Sequence, residues 1–132
     1  MNSQNGCLGR RIRVALVGGG GGSGFIGKVH AIASTLDRRA ELVAGALSSN
    51  PETSRTSAAE MGIVEDRRYE SFEALISGEL AREESERVDV VVIATPNHTH
   101  YPFASAALEA GFHVVCDKPL TTDLTDAETL AM

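Results

Sequence analysis

Residues 12–30 read IRVALVGGGGGSGFIGKVH, and this stretch decides the fold. Its first part, Ile12 to Val17, is a short run rich in β-branched residues that ends in glycine, which predicts a buried strand. Apolar residues then recur at helical spacing from Phe25 to Leu36 and predict a helix. A glycine-rich turn between a strand and a helix lets backbone N–H groups approach a phosphate at the positive end of the helix dipole.

The rest of the chain alternates between the same two kinds of element. Further strands are predicted at residues 41–47, near Tyr69, at 88–94 and at 112–116. Further helices are predicted at residues 51–61, 72–76, 101–110 and 123–132. Because such alternation implies right-handed crossovers, the sequence predicts an α/β fold with a doubly wound parallel sheet. Ligands of such a sheet bind at the carboxyl ends of its strands.

The composition is that of one ordinary globular domain. The chain has 132 residues, of which 42% are hydrophobic and 23% are charged, and its net charge is -6. This acidic balance disfavours nucleic acid and anionic membranes as partners, because both need a basic face. No apolar run reaches the about 18 residues of a membrane span, and the start has no apolar stretch of signal-peptide length. We therefore expect a cytoplasmic protein.

The chain divides into a flexible leader at residues 1–10 and one domain at residues 11–132. Its two cysteines, Cys7 and Cys116, form neither a disulfide framework nor a metal site, because structural zinc needs more thiol or imidazole ligands at short spacing. We expect no metal.

The unusual residues follow the predicted strands. They are the glycines between residues 18 and 27, Ser48-Ser49-Asn50, Thr95-Pro96-Asn97-His98-Thr99-His100 and Asp117-Lys118-Pro119. Since the carboxyl ends of parallel strands share one edge of the sheet, one crevice can collect all four loops.

The glycine run fits the dinucleotide-binding pattern G-x-G-x-x-G in two registers, Gly19-Gly21-Gly24 and Gly22-Gly24-Gly27. We prefer the second, because Gly27 then lies in the first turn of the helix, where close packing against a strand leaves no room for a side chain. A flexible glycine loop without a ligand is the alternative.

A phosphate-transfer loop is also a candidate, because residues 22–28 match G-x-x-x-x-G-K. The next residue would need a hydroxyl to hold magnesium, but it is Val29. The carboxylate of the strand at 88–94, Asp89, lies at the wrong end to reach a metal. These two residues disfavour a nucleoside triphosphatase.

The end of the second predicted strand bears on the cofactor. Dinucleotide folds often place a carboxylate there, on the adenosine ribose, and here the residue is Ser48. Ser48 and Ser49 either donate hydrogen bonds to the ribose or leave room for a 2′-phosphate, which Arg55 is placed to meet unless it is merely solvated. The choice between NAD and NADP stays open.

Four segments, taken together, resemble the Gfo/Idh/MocA oxidoreductases. They are residues 17–30 (VGGGGGSGFIGKVH), 44–51 (AGALSSNP), 95–100 (TPNHTH) and 110–119 (AGFHVVCDKP), and they occur in the family's order and spacing. The resemblance implies an amino-terminal Rossmann domain that binds NAD or NADP, followed by an α/β domain that binds a sugar, inositol or related polyol and commonly builds a homo-oligomer. It covers residues 11–132, so we expect the second domain to be absent here and this chain alone to be monomeric and nearly inactive.

The resemblance also implies roles for single residues. Gly22, Gly24, Phe25 and Ile26 would contact the pyrophosphate, and Ser48 and Ser49 would lie by the adenosine ribose. Thr95, Pro96, Asn97 and His100 would line the path to the nicotinamide. Asp117 and Lys118 match the family's E-K-P motif, in which the lysine sits beside the nicotinamide and the substrate.

Lys118 suits the implied chemistry. Oxidation of an alcohol needs a hydride acceptor and a base, and a lysine ammonium stabilises developing alkoxide and relays the proton. Two departures are the shorter carboxylate of Asp117 and a longer glycine loop than the family's usual one. The alternatives to a hydride-transferring enzyme are a non-catalytic dinucleotide sensor or interaction module, and a phosphate binder without redox chemistry. His30 is expected to be structural. For His98 and His100 the alternative to cofactor contact is that one of them caps the following helix or donates to a backbone carbonyl.

Overall fold

The computed structural model describes residues 9–22 and 24–132. Most of the expected leader, Cys7 included, therefore lies outside the described residues, as does Ser23 within the glycine run. Over the described ranges, no helix is both long enough and apolar enough to span a membrane.

The described residues form a four-stranded parallel sheet with helices on both faces. The strands are β1 (Ile12–Gly18), β2 (Ala40–Ala46), β3 (Val90–Ala94) and β4 (His113–Cys116), in the order β2-β1-β3-β4. The helices are α1 (Phe25–Thr35), α2 (Pro51–Glu60), α3 (Phe72–Leu80), α4 (His100–Glu109) and α5 (Leu124–Ala131). This architecture confirms the predicted Rossmann-like fold.

Side chains of β1 supply the core on both faces of the sheet. Ala15 and Val17 pack with α3 and α4, whereas Val14 and Leu16 pack on the side of α2. All four are at most 5% exposed. Since successive side chains of a strand point to opposite faces, an apolar run such as this one suits a central strand covered by helices on each side.

The structure differs from the sequence prediction in two elements near α3. The strand expected near Tyr69 is a single parallel bridge between Gly45 and Arg68. The helix expected to end at Ile76 continues to Leu80. It continues through Gly78, where a Cβ would overlap the Tyr69 ring. The glycine thus serves close packing within the helix and does not end it.

Of the five helices in the described ranges, three begin at capping residues that the sequence contains, whereas α1 and α4 start without a side-chain cap. The side chains of Asn50, Ser71 and Asp123 accept hydrogen bonds from backbone N–H groups in the first turns of α2, α3 and α5, at 2.9–3.1 Å. At α1 the N-cap is Gly24, which provides no side-chain hydrogen bond, and the first turn has no acidic residue. The amino end of α1 is thus left for another acceptor.

Candidate functional site

The glycine loop packs tightly on itself where it enters α1. A Cβ on Gly27 would lie 2.6 Å from Gly19 Cα, and a Cβ on Gly24 would overlap the Gly19 carbonyl oxygen. Gly27 is buried in the first turn of α1, which is the position and the reason predicted for it. Gly22 is exposed, and a Cβ there would meet no atom within 4 Å. Packing within the chain therefore requires glycine at Gly24 and Gly27 but not at Gly22.

The loop is also fixed by hydrogen bonds to the residue after β2 and to α2. Gly20 N–H donates to Leu47 O at 2.8 Å, and Gly21 N–H donates to Ser57 Oγ at 3.0 Å. Ser57 is buried, as is Ser54 one turn earlier on the same helix. The sequence analysis does not single out either serine. The signal that could have found them is a pair of small polar residues three positions apart, which places both on the same face of a helix.

The loop after β2 lies beside the glycine loop. Ser48 Oγ accepts a hydrogen bond from Asn50 N–H at 3.1 Å, and Ser49 is exposed. Arg55, which was expected either to meet a 2′-phosphate or to be solvated, forms a solvent-exposed ion pair with Glu70.

A cleft of about 1070 Å³ opens between α1 and α2, beside the glycine loop. Gly19 to Gly22 line one end, and Asn50 and Thr53 lie at the start of α2. Lys28 and Glu60 bring both signs of charge to its walls. The cleft therefore adjoins the loops for which phosphate and ribose contacts are predicted.

The loop after β3 presents Pro96 and Asn97 to solvent. The Thr99 hydroxyl lies 2.5 Å from Thr95 Oγ1 and 2.6 Å from the Pro96 carbonyl oxygen, which holds the loop in its turn. Thr95 is half-buried beneath that contact.

His100 differs from its expected role. It is only 1% exposed, and its Nε2 and Nδ1 atoms lie 2.9 Å from Thr95 O and 2.6 Å from Pro119 O. Both ring nitrogens are therefore engaged by the backbone, and His100 offers neither of them to a cofactor. This agrees with the alternative in which the histidine donates to a backbone carbonyl, but no local pattern points to the second partner, which lies 19 residues away.

The loop after β4 carries Lys118 and is tied to α1. Asp117 N–H donates to Ile93 O at 3.1 Å, and Asp117 Oδ1 lies 2.5 Å from His30 Nε2. Both side chains of this pair are less than a quarter exposed, whereas Lys118 is exposed. Since His30 belongs to the second turn of α1, this contact brings the Lys118 loop close to the helix that begins at the glycine loop.

Cys116 ends β4 directly before this loop. Burial raises the pKa of its thiol, and the neighbouring Asp117 carboxylate raises it further. The thiol therefore stays protonated at neutral pH and is a poor nucleophile. Among the residues that the structure describes, no three His, Cys, Asp or Glu side chains group into a metal site.

The sheet order brings the four loops to one edge in a fixed sequence. From β2 to β4 they present Ser48, the glycine loop, Thr95 and Lys118. Neighbouring strands are about 4.8 Å apart, so the four loops span roughly 15 Å. The uncapped start of α1 lies near the middle of this row, where its backbone N–H groups are available to a phosphate group. Lys118 lies at one end of the row.

The comparisons with known proteins agree with this arrangement. Residues 12–132 match the model of the Gfo/Idh/MocA oxidoreductases, described as an oxidoreductase family with an NAD-binding Rossmann fold. The inositol dehydrogenase homolog of Azotobacter vinelandii, solved with NADH and myo-inositol, superposes with a TM-score of 0.87 at 42% identity, over 92% of this chain and 31% of that one.

Two relatives found by sequence are also dehydrogenases. Inositol 2-dehydrogenase 4 of Saccharopolyspora erythraea is 37% identical over 86% of this chain, and the levoglucosan dehydrogenase of Pseudarthrobacter phenanthrenivorans is 35% identical over 93%. The chain spans 30% of the length of each of these two relatives. The resemblance in the four loops is thus confirmed: this chain belongs to the Gfo/Idh/MocA oxidoreductases and forms their NAD-binding Rossmann domain.

Proposed function

We propose that this domain holds NAD for an oxidoreductase that moves a hydride between the nicotinamide and a hydroxyl-bearing sugar, inositol or related polyol. The observation that carries the proposal is the contact between His30 and Asp117, because it joins the helix at the glycine loop to the loop of Lys118. The substrate class is supported by the relatives named for inositol and levoglucosan.

The amino end of α1 binds the pyrophosphate in this proposal. The backbone N–H groups of Phe25 and Ile26 lie in its first turn, with neither a side-chain cap nor an acid beside them. An anion placed there gains from the helix dipole as well as from the hydrogen bonds. Because Gly24 and Gly27 pack against Gly19 and have no room for a Cβ, no side chain at these two positions obstructs the pyrophosphate.

Lys118 acts at the other end of the row. Bound NAD would accept the hydride, and Lys118 would stabilise the developing alkoxide and pass the proton of the substrate hydroxyl on to solvent. Thr95, Pro96 and Asn97 lie between Lys118 and the glycine loop, because β3 lies between β4 and β1. They are proposed to line the path to the nicotinamide, and Ser48 and Ser49 to contact the ribose.

The test is turnover with Lys118 replaced. In the whole protein that carries this domain, Lys118→Met is expected to lower kcat for NAD-dependent oxidation of myo-inositol or a related sugar by about 10²- to 10⁴-fold, because proton transfer at the hydroxyl is lost. The Kd for NADH, measured by fluorescence titration, should stay nearly unchanged. A Lys118→Met protein with wild-type kcat would contradict the proposal. Arg11→Met serves as the control, because Arg11 is an exposed cation that precedes β1 at the opposite edge of the sheet.

A further inference from the structure

His100 has two contacts that a neutral imidazole cannot satisfy together. Its Nδ1 and Nε2 atoms face the carbonyl oxygens of Pro119 and Thr95, at 2.6 and 2.9 Å. A carbonyl oxygen only accepts hydrogen bonds, and a neutral imidazole donates from one nitrogen. Both contacts are hydrogen bonds only when both ring nitrogens carry a proton.

We propose that His100 is a positioning residue for Lys118, which holds the Lys118 loop through two donated hydrogen bonds while it is doubly protonated and releases one of them when it loses a proton. The proposal rests on the function proposed above only for the role of Lys118. The geometry of His100 stands without it.

The protonation of His100 decides whether both carbonyl contacts are hydrogen bonds. The residue is only 1% exposed, so water does not replace a lost partner at the ring. Hydrogen bonds from a charged donor are shorter and stronger than those between neutral groups. In the neutral ring, the lone pair of one nitrogen would face a carbonyl oxygen in a buried place. Two acceptors cannot form a hydrogen bond, so the contact at that nitrogen would open.

The contact to Pro119 is the one expected to open. Thr95 is half-buried and held by the Thr99 hydroxyl, whereas Pro119 is exposed and its carbonyl can turn to water. Pro119 directly follows Lys118, and Asp117 before it is held by His30. Loss of the Pro119 contact therefore leaves the Lys118 loop with the Asp117 anchor alone, so Lys118 moves when His100 is deprotonated.

Several other titratable groups lie on the elements that meet here. They are His98 and Tyr101 beside His100, Cys116, Asp117 and Lys118 at the end of β4, and His30 on α1. His98 is exposed and His30 is paired with Asp117, so each of these two histidines needs its own control variant. Asp123 is engaged as the N-cap of α5.

The chain is suited to an NMR test because Lys28 and Lys118 are its only lysines. We would methylate both reductively with ¹³C and follow their signals together with the ring nitrogens of ¹⁵N-labelled His100 between about pH 5 and about pH 8. At the acid end both nitrogens of His100 should show the shift of protonated nitrogen. The Lys118 signal should then step at the pH at which His100 loses a proton, without the same step at Lys28.

Three variants separate the histidines. The step should vanish in His100→Gln and persist in His98→Gln and in His30→Gln. One unprotonated ring nitrogen on His100 across the whole range, or a Lys118 step that survives in His100→Gln, would overturn the proposal. If His100→Gln does not fold, the wild-type spectra decide by themselves, because they show whether the two transitions coincide. No NADH or substrate is present, so a failure here is distinct from a failure of the Lys118→Met kinetics.

Discussion

At the scale of single residues, the glycine loop contains two kinds of glycine. Gly24 and Gly27 are required by the chain itself, because a side chain at either position would press into the backbone of Gly19. Gly22 meets no such obstacle. If Gly22 is needed, the reason lies in what binds beside it, and substitution distinguishes the two cases.

Gly27→Ala is expected to lower the free energy of unfolding by about 1 to 3 kcal/mol, because its methyl group would overfill the contact between α1 and Gly19. It should also weaken NADH binding, since the start of α1 must shift. Gly22→Ala is the matched control, and its stability should stay within about 0.5 kcal/mol of the wild type. Urea unfolding and NADH fluorescence titration measure both effects. Equal stability of Gly27→Ala and Gly22→Ala would refute the packing argument.

Glu79 is another buried polar residue that the sequence did not reveal. Its carboxylate accepts hydrogen bonds from Arg67 at 2.9 Å, from the Tyr69 hydroxyl at 2.6 Å and from Val88 N–H at 3.0 Å. Burial raises the pKa of the Tyr69 hydroxyl, and the bond to Glu79 raises it further. Glutamate is seldom fully buried, and only the partners from two separate segments, at residues 67–69 and at Val88, make this one possible, which no local pattern specifies.

At the scale of elements, the alternation of strands and helices was enough to predict the sheet and its parallel direction. Apolar runs such as Val90 to Ala94 and caps such as Asn50 and Ser71 are local signals, so they could be recognised directly. The end of α3 could not, because it depends on how the distant Tyr69 ring packs over Gly78. For the same reason the candidate loops were predictable, but the contacts of His30 and His100 between loops were not.

The amino ends of β1 and β3 are joined by Asp89. Its carboxylate accepts a hydrogen bond from Arg13 N–H at 2.7 Å and forms a two-pronged pair with Arg10 at 2.8 and 3.0 Å. Chiefly through the Arg10 hydrogen bond, these contacts hold the pKa of Asp89 below its usual range. The carboxylate therefore contributes stability above the usual range of an aspartate pKa, and that stability is lost as the pH falls through the lowered pKa.

Asp89→Asn is expected to lower the free energy of unfolding by about 1 kcal/mol near neutral pH, the low end for a hydrogen-bonded charge at a partly exposed site. The difference from the wild type should shrink below about pH 4 and vanish when the wild-type carboxyl is protonated. Urea unfolding at several pH values measures it, with the exposed Glu128→Gln as control. A difference that is independent of pH would show that the charge of Asp89 does not matter.

At the scale of the whole molecule, the candidate site depends on the order of the strands. Residues far apart in the sequence come together because β2, β1, β3 and β4 end at the same edge, and because His30 and His100 tie the last loop to α1 and α4. The opposite edge of the sheet carries Asp89 and its arginine partners. The edge that carries the four loops is the proposed binding edge, and the edge that carries Asp89 serves as a control region within the same domain.

The measurement that tests this account most directly is a map of backbone amide shifts in the chain as NADH is added. We predict that the shifted amides cluster in the loops at residues 18–27, 48–50, 95–97 and 117–118, whereas the amides around Asp89 at the opposite edge stay in place. Shifts centred on the Asp89 edge, or no shifts at about 1 mM NADH, a concentration at which even weak specific binding is visible, would contradict it.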